Sequence, residues 1–182
     1  MYMEYRTNRL ILKILTSSYY KDVLEFQKRN RDSFEKYEPT RPLGFYTAPY
    51  QQNILKCEYK MAQKLLNVRF YAFLHNDPCT IIGTVCLHNV MRAPYECCEL
   101  GYKFDCSYRH QGYAREAVSK ILCVAFYDLK LHRAYARVSP DNAPSIRLLE
   151  ALGFTNEGIE RGAISIHGEW TDHIRYGLVR PD

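Results

Sequence analysis

Residues 98–131, CELGYKFDCSYRHQGYAREAVSKILCVAFYDLKL, constrain the fold more than any other stretch of the chain. From Cys98 to Asp105, Leu100, Tyr102 and Phe104 alternate with Glu99, Gly101 and Lys103, the period-two pattern of a half-buried strand. Gly101 marks a bulge or a close approach by another group. After a short turn the apolar positions become Ala114, Ala117, Val118, Ile121, Leu122, Ala125 and Leu129, the spacing of a helix with one continuous buried face. No glycine or proline interrupts it. A strand feeding such a helix through a glycine-bearing turn occurs in many α/β proteins.

The junction, Arg109-His110-Gln111-Gly112-Tyr113-Ala114, is where chemistry enters. A helix start leaves backbone N–H groups without partners and carries partial positive charge, which suits a phosphate. Gly112 lets the backbone come close to an anion, Ala114 is too small to block it, and Arg109 and Arg115 add full charges. An ordinary structural turn has the same ingredients, so the junction alone leaves both readings open.

Around this unit the chain reads as a single domain over residues 1–182, and its 47% hydrophobic content is ample for one core. Arg9–Leu15 reads as a first strand, Thr16-Ser17-Ser18 as a helix start, and Tyr19–Arg31 as the helix that follows. Residues 35–49, with Pro39, Pro42, Pro49 and Gly44, form a long loop, and Tyr50–Leu66 a second helix. Arg69–Leu74 and Thr80–Asn89 read as strands joined through His75-Asn76-Asp77-Pro78, making with Cys98–Asp105 an antiparallel meander. His132–Val138 is a further strand. Asn142 caps a helix with Pro144 in its first turn and Gly153 past its end. Phe154–Glu160 and His173–Val179 close the chain as a hairpin around Gly168.

Composition narrows the partners. The formal charge of +5 comes from scattered lysines and arginines, which suits an anionic cofactor but lacks the clustered basic stripe of a nucleic-acid binder. Seven cysteines fall mostly inside apolar segments without a C-x-x-C pair, and read as buried free thiols of a reducing cytoplasm rather than a metal or redox site. The opening MYMEYRTNRL is charged where a signal peptide needs an apolar run, and no stretch approaches a membrane span. The expectation is a cytoplasmic protein with no nucleic acid, membrane or metal partner.

Arg109-x-x-Gly112-x-Ala114, behind an aromatic-rich strand, resembles the acetyl-CoA motif of the GCN5-related N-acetyltransferases (GNAT), Arg/Gln-x-x-Gly-x-Gly/Ala. Thr7-Asn8-Arg9-Leu10-Ile11-Leu12 resembles the first strand of the RimJ/RimL branch, which includes the ribosomal-protein N-terminal acetyltransferases. Asp141-Asn142-Ala143-Pro144-Ser145 with Leu152-Gly153-Phe154 resembles its closing helix, and Gly168-Glu169-Trp170-Thr171-Asp172 its late hairpin. The resemblance covers nearly the whole chain in the expected order. It implies a mixed α/β fold with a central, mostly antiparallel sheet, splayed between the fourth and fifth strands and flanked by helices. It also implies acetyl-CoA as cosubstrate and direct attack of a primary amine on the thioester, without an acetyl-enzyme.

Under that resemblance the backbone of Tyr102, Lys103 and Phe104 bonds the pantetheine arm like an added strand, as an open sheet edge allows. Arg109, His110, Gln111, Gly112, Tyr113 and Ala114 hold the pyrophosphate, and Asn142 approaches the pantetheine. Glu99, facing away from Leu100 and Tyr102, is the first candidate for the base, directly or through water, and Glu96 the second. Ser145 stands where it would help protonate the leaving thiolate. Plainer readings stand beside these: Glu99 as a salt-bridged surface carboxylate, Asn142 as an N-cap, Ser145 as a first-turn residue. Two positions depart from the family pattern, Leu149 where many relatives outside the branch carry an acid tyrosine, and Ile164 where some ribosomal-protein acetyltransferases carry an acidic residue. His110, His132 and His167 lack motif partners. Trp170 and Asp172 either line the amine site or serve as a core tryptophan and a turn cap. The acceptor is a protein N-terminal α-amine or a small amine such as a polyamine, amino acid or aminoglycoside. Glu35 and Glu38, beside loop aromatics, suit a cationic amine. A non-catalytic acyl-CoA sensor is the rival reading, and monomer and homodimer are both open.

Overall fold

The computed structural model describes residues 1–181. Its elements run β1 (Glu4–Arg6), β2 (Leu10–Lys13), α1 (Tyr20–Arg29), α2 (Arg31–Glu35), α3 (Ala48–Gln63), β3 (Val68–Leu74), β4 (Gly83–Met91) and β5 (Cys97–Phe104). They continue with α4 (Tyr113–Cys123), β6 (Arg133–Val138), α5 (Ala143–Ala151), β7 (Thr155–Ile166) and β8 (Glu169–Val179). The eight strands form one sheet in the order β1-β2-β3-β4-β5-β6-β8-β7. Every neighbouring pair is antiparallel except β5–β6. Among the described residues no helix is long and apolar enough to cross a membrane.

Strand alternation sorts the side chains onto two faces, and each face buries its own core. On one, Val85, Leu87, Leu100 and Phe104 meet Ala117, Val118 and Ile121 of α4 and Leu149 of α5. On the other, Ile11, Tyr71 and Phe73 meet Val23 and Phe26 of α1 and Leu55 of α3. Val118 and Ile121 are completely buried, worth about 1.5–3 kcal/mol each before entropy is counted. That packing fixes α4 against the sheet and so fixes where its first turn points.

The feature that matters for function is a parting of strands. β5 and β6 are paired at Cys97–Arg133, Cys98–Ala134 and Glu99–Tyr135, and no further. Beyond Glu99, β5 follows β4 to Phe104, while β6 follows β8 to Val138. A wedge opens between them. These are the fourth and fifth strands of the family pattern, counted one higher here because the short β1 precedes the first strand read from the sequence.

Several expectations change. The helix expected over Tyr19–Arg31 stops at Arg29, because the Asn30 side chain turns back to the Phe26 carbonyl at 3.0 Å while also donating to Asp105. The closing hairpin is longer than expected. Gly158 and Gly162, at φ of 113° and 54°, sit at register shifts within the β7–β8 pairing instead of ending it. Only Cys86, Cys97 and Cys98 are buried, whereas Cys57, Cys79, Cys106 and Cys123 are exposed, all as free thiols. The exposed ones lie on α3 and α4, in the β3–β4 turn and just after β5, where a thiol meets water. Trp170 is 73% exposed and therefore is not a core tryptophan.

Candidate active site

The wedge leaves one edge of β5 unpaired. Asp105 N–H donates to the Ile82 carbonyl at 2.9 Å, and the register pairs Lys103 with Thr84 and Gly101 with Cys86. Because bonded and non-bonded residues alternate in an antiparallel pair, Gly101 and Lys103 turn their backbone groups to β4. Leu100, Tyr102 and Phe104 turn theirs into the wedge. Of the three backbone positions expected on the pantetheine arm, Tyr102 and Phe104 thus offer free donors and acceptors. Lys103 does not, by the same alternation.

At the far end of β5 the chain turns into α4. Gly112, at φ 80°, is the N-cap of α4 and has no side chain with which to cap it; the left-handed conformation suits glycine. The first N–H groups of α4 are therefore without a side-chain partner. The first turn of α5 contrasts with it: the Asn142 side chain accepts from Ser145 N–H at 3.3 Å. One helix start is closed by its own residue and the other is left without a side-chain cap.

This phosphate-type loop is held from below by Arg9. Its Nε donates to Glu116 Oε2 at 2.6 Å, its Nη1 donates to the Gln111 carbonyl at 2.9 Å, and its guanidinium lies 4.6 Å from the centre of the Tyr113 ring. Thr7 Oγ1 and Arg9 N–H also donate to Glu116, at 2.6 and 2.8 Å. Burial pushes the Glu116 carboxyl up, but the bonds from Thr7 and Arg9 outweigh it and leave it below the ordinary glutamate range. Arg109 bonds Ser33, and His110, at φ 60°, makes the bend before Gly112. Arg9 had no assigned role in the sequence, although the Thr7–Leu12 motif contains it.

The wedge has a different chemistry on each face. On the α4–α5 face the Tyr102 hydroxyl and Ser145 Oγ lie 2.7 Å apart, and the phenol reaches the Ser145 carbonyl at 3.2 Å. Burial pushes the Tyr102 phenol up to about 12, so it remains a donor. On the opposite face Glu99 accepts from Arg137 Nε and Nη2 at 3.0 and 2.8 Å and from Asn89 at 3.4 Å. Arg137 continues to Glu160 at 3.8 Å and Glu160 to Arg175 at 2.9 Å. Glu99 thus sits at the apex of the wedge as a carboxylate gripped by a guanidinium fork. Glu96 is exposed, and its carbonyl accepts from His132 and Arg133 N–H at the start of β6.

The same face carries the 36–47 loop and the tip of the β7–β8 hairpin. Lys103 Nζ donates to Glu38 at 2.9 Å and Gln27 at 3.2 Å and lies 4.5 Å from the Phe34 ring centre, tying the 36–47 loop to the sheet. His167, at the tip of the β7–β8 hairpin, meets the Glu35 carbonyl at 2.9 Å. Glu35 itself accepts from Tyr46 at 2.7 Å and from Arg31. Asp172 accepts from Gly162 N–H at 2.8 Å and fixes the hairpin bulge. Between α3 and β3–β4 lies a cavity of about 420 Å³ lined by Tyr50, Ile54, Glu58, Met61, Arg69 and Cys86 among others. Leu149 is wholly in the core. Four side chains escaped the sequence reading: Arg9, Arg137, His88 and the hydroxyl end of Tyr102. His88 shared a polar strand face with Thr84 and Cys86 that alternation alone could have flagged.

The acetyltransferase (GNAT) domain profile matches residues 9–155. A probable N-acetyltransferase of Bacillus subtilis, YjcK, is 35% identical over 87% of each chain. The crystal structure of the ribosomal-protein-S5-alanine acetyltransferase from Vibrio fischeri superimposes with a TM-score of 0.92, at 29% identity, covering 98% of this chain and 97% of that one. Mycobacterium smegmatis RimJ, solved in complex with CoA-disulfide, shares the fold at a TM-score of 0.87 and 21% identity, covering 93% and 81%.

Proposed function

Because the chain belongs to the GNAT acetyltransferase family and is an N-acetyltransferase, we propose that it transfers the acetyl group of acetyl-CoA to a protein N-terminal α-amine. The observation that carries the cofactor assignment is the continuity of the open edge of β5 with the uncapped start of α4. An amide-bearing arm can bond Tyr102 and Phe104, and a pyrophosphate can take the free N–H groups at Gly112–Ala114 with Arg109 beside them. The N–H groups turned into the wedge also suit the oxyanion of a tetrahedral intermediate. Asn142 holds the start of α5 and so sets Ser145 against Tyr102.

The two faces divide the proton work. The hydroxyl pair of Ser145 and Tyr102 on the cofactor face donates toward the sulfur as it leaves, and the carboxylate of Glu99 supplies negative charge on the acceptor face. Glu99 is engaged by Arg137 on both oxygens, so its part in proton removal runs through a second group or a water. Amine type favours an N-terminus. Neutralising a lysine at pH 7 costs roughly 4–5 kcal/mol, against about 1 kcal/mol for an α-amine. The likeness to the S5-alanine acetyltransferase over nearly the full length of both chains supports the same class of acceptor.

A small amine is the second reading, favoured by the 420 Å³ cavity between α3 and β3–β4. Mass-spectrometric detection of product from acetyl-CoA and a panel of N-terminal peptides, polyamines, amino acids and aminoglycosides decides between them. Product on peptides beginning with Ala or Ser is the expected result. Product only on small amines would transfer the assignment to them, and bound acetyl-CoA with no product anywhere would overturn both acceptor readings.

A further inference from the structure

His88 projects from β4 on the acceptor face, cross-strand from Glu99, the last residue of β5 still paired with β6. Its ring lies over Gly101. A Cβ at that position would be 3.0 Å from Nε2 and 3.1 Å from Cδ2, so the missing side chain is what lets the imidazole lean across β5 toward the opening of the wedge. The other ring nitrogen is accounted for. Nδ1 lies 3.6 Å from Cys86 Sγ, and that sulfur lies 3.7 Å from Asn67 Oδ1. Burial pushes the Cys86 thiol up to about 12, so it keeps its hydrogen. With that hydrogen given to Asn67, the sulfur accepts from Nδ1–H, and the lone pair is left on Nε2. Among the described residues Nε2 makes no hydrogen bond.

We propose that His88 takes the proton of the attacking amine through Nε2, with Glu99 across the strand stabilising the imidazolium. This rests on the reading of the chain as an α-amine acetyltransferase. The nitrogen–carbon bond forms as the carbon–sulfur bond breaks. The proton leaves nitrogen for Nε2 and then for solvent, and the sulfur takes a proton from the Ser145 hydroxyl, which solvent replaces. The charges facing His88 are Glu99 from β5, Arg69 from β3, Glu58 from α3 paired with Arg69, and Arg137 from β6 paired with Glu99. Burial, with Arg69 adding to it and Glu99 opposing, holds the imidazole down to about 4. It is neutral at working pH. So weak a base cannot strip a bound ammonium. It accepts the proton only as the new bond drains basicity from nitrogen, and the acceptor must therefore arrive neutral. At pH 7.5 about four in ten α-amines are neutral, against about one lysine in 800. At equal binding, that difference favours α-amines over lysines.

The test compares wild type, His88→Ala, His88→Gln and Gly101→Ala on a peptide beginning with Ala and on an Nα-blocked lysine peptide. It follows kcat, the KM for acetyl-CoA, CoA affinity and the pH profile, with folding checked by circular dichroism. His88→Ala is expected to lower kcat by about 10²–10³-fold with CoA affinity unchanged, and added imidazole to restore at least part of the rate by entering the vacated space. Gly101→Ala, which displaces the ring, lowers kcat in the same direction. In wild type, kcat/KM rises with pH to the pKa of the α-amine, with no second limb near 6.5. A kcat within threefold of wild type in both His88 variants, a loss matched in CoA affinity, or no imidazole response in folded His88→Ala would overturn the proposal. Should His88→Ala unfold, His88→Gln and Gly101→Ala carry the same comparison. Wild type inactive on α-amine peptides but active on small amines would instead remove the substrate reading, and His88 would be judged on those amines.

Discussion

Arg9→Ala should weaken CoA binding without touching any group placed against the acetyl or the amine. The substitution removes the ion pair to Glu116, the bond to the Gln111 carbonyl and the stacking on Tyr113. The Arg9 side chain is about half exposed, at 47%, so its ion pair is worth about 0.2–1 kcal/mol. The carbonyl bond adds about 0.5–1.5 kcal/mol and the ring contact about 0.5–1 kcal/mol. These share one side chain and do not simply add, which gives about 1–2.5 kcal/mol. The carbonyl bond holds the backbone at Gln111 directly, and the Tyr113 and Glu116 contacts fix the first turn of α4 beside it, where the pyrophosphate is proposed to sit. If the loop loses its support, the Kd for CoA rises about 5- to 70-fold. Calorimetric titration with CoA and with pantetheine, which has no phosphate, isolates the effect: CoA binding weakens and pantetheine binding is unchanged. Equal weakening of both, or unchanged CoA affinity in a folded variant, would refute the reasoning.

Ser145→Ala and Tyr102→Phe should each lower kcat by about 10–10²-fold while CoA affinity holds, and the double variant should lose little more than either single one, because the two hydroxyls act as one pair. Steady-state kinetics with titrated CoA binding checks this, and full additivity would show that they act separately. Asp105 is completely buried and accepts from Arg29 at 2.6 Å, Ser107 N–H at 2.9 Å and Asn30 at 3.0 Å. Burial pushes its carboxyl up, but the bonds from Asn30, Ser107 and Arg29 outweigh that and hold it below the usual aspartate range. A depressed carboxyl stabilises the fold fully above its unfolded value near 3.9 and loses that contribution as pH falls through the folded value. Asp105→Asn should therefore cost about 1.5–3 kcal/mol at pH 7, with the gap to wild type closing as pH falls below the unfolded value near 3.9 and through the lower folded one in denaturant titrations. A gap independent of pH would exclude the carboxylate as its source.

The central strand was legible to within a residue, because Leu100, Tyr102 and Phe104 alternate cleanly and bury one face. The α5 helix was legible for a similar local reason, with Asn142, Pro144 and Gly153 at its ends. β1 was not. It buries only Tyr5, and its position depends on pairing with β2 and a bond to Asp128 far along the chain. The wedge cannot be read from either strand that forms it, since each continues its own pattern against another partner; it came from family resemblance. Tyr102 shows the same limit within one residue. Periodicity put its ring on the buried face, but the meeting of its hydroxyl with Ser145 joins positions 43 residues apart. Of the two readings of Trp170, the core one fails because the long hairpin carries the ring into solvent.

The short β5–β6 seam makes the sheet two panels, β1–β5 and β6–β8, stitched by three residue pairs. On the proposed binding mode, an arm bonded to the free edge of β5 takes the place of a missing strand. The cosubstrate would then be part of the architecture as well as a reagent, splinting the panels while it is bound. Its departure would leave the seam to those three pairs alone.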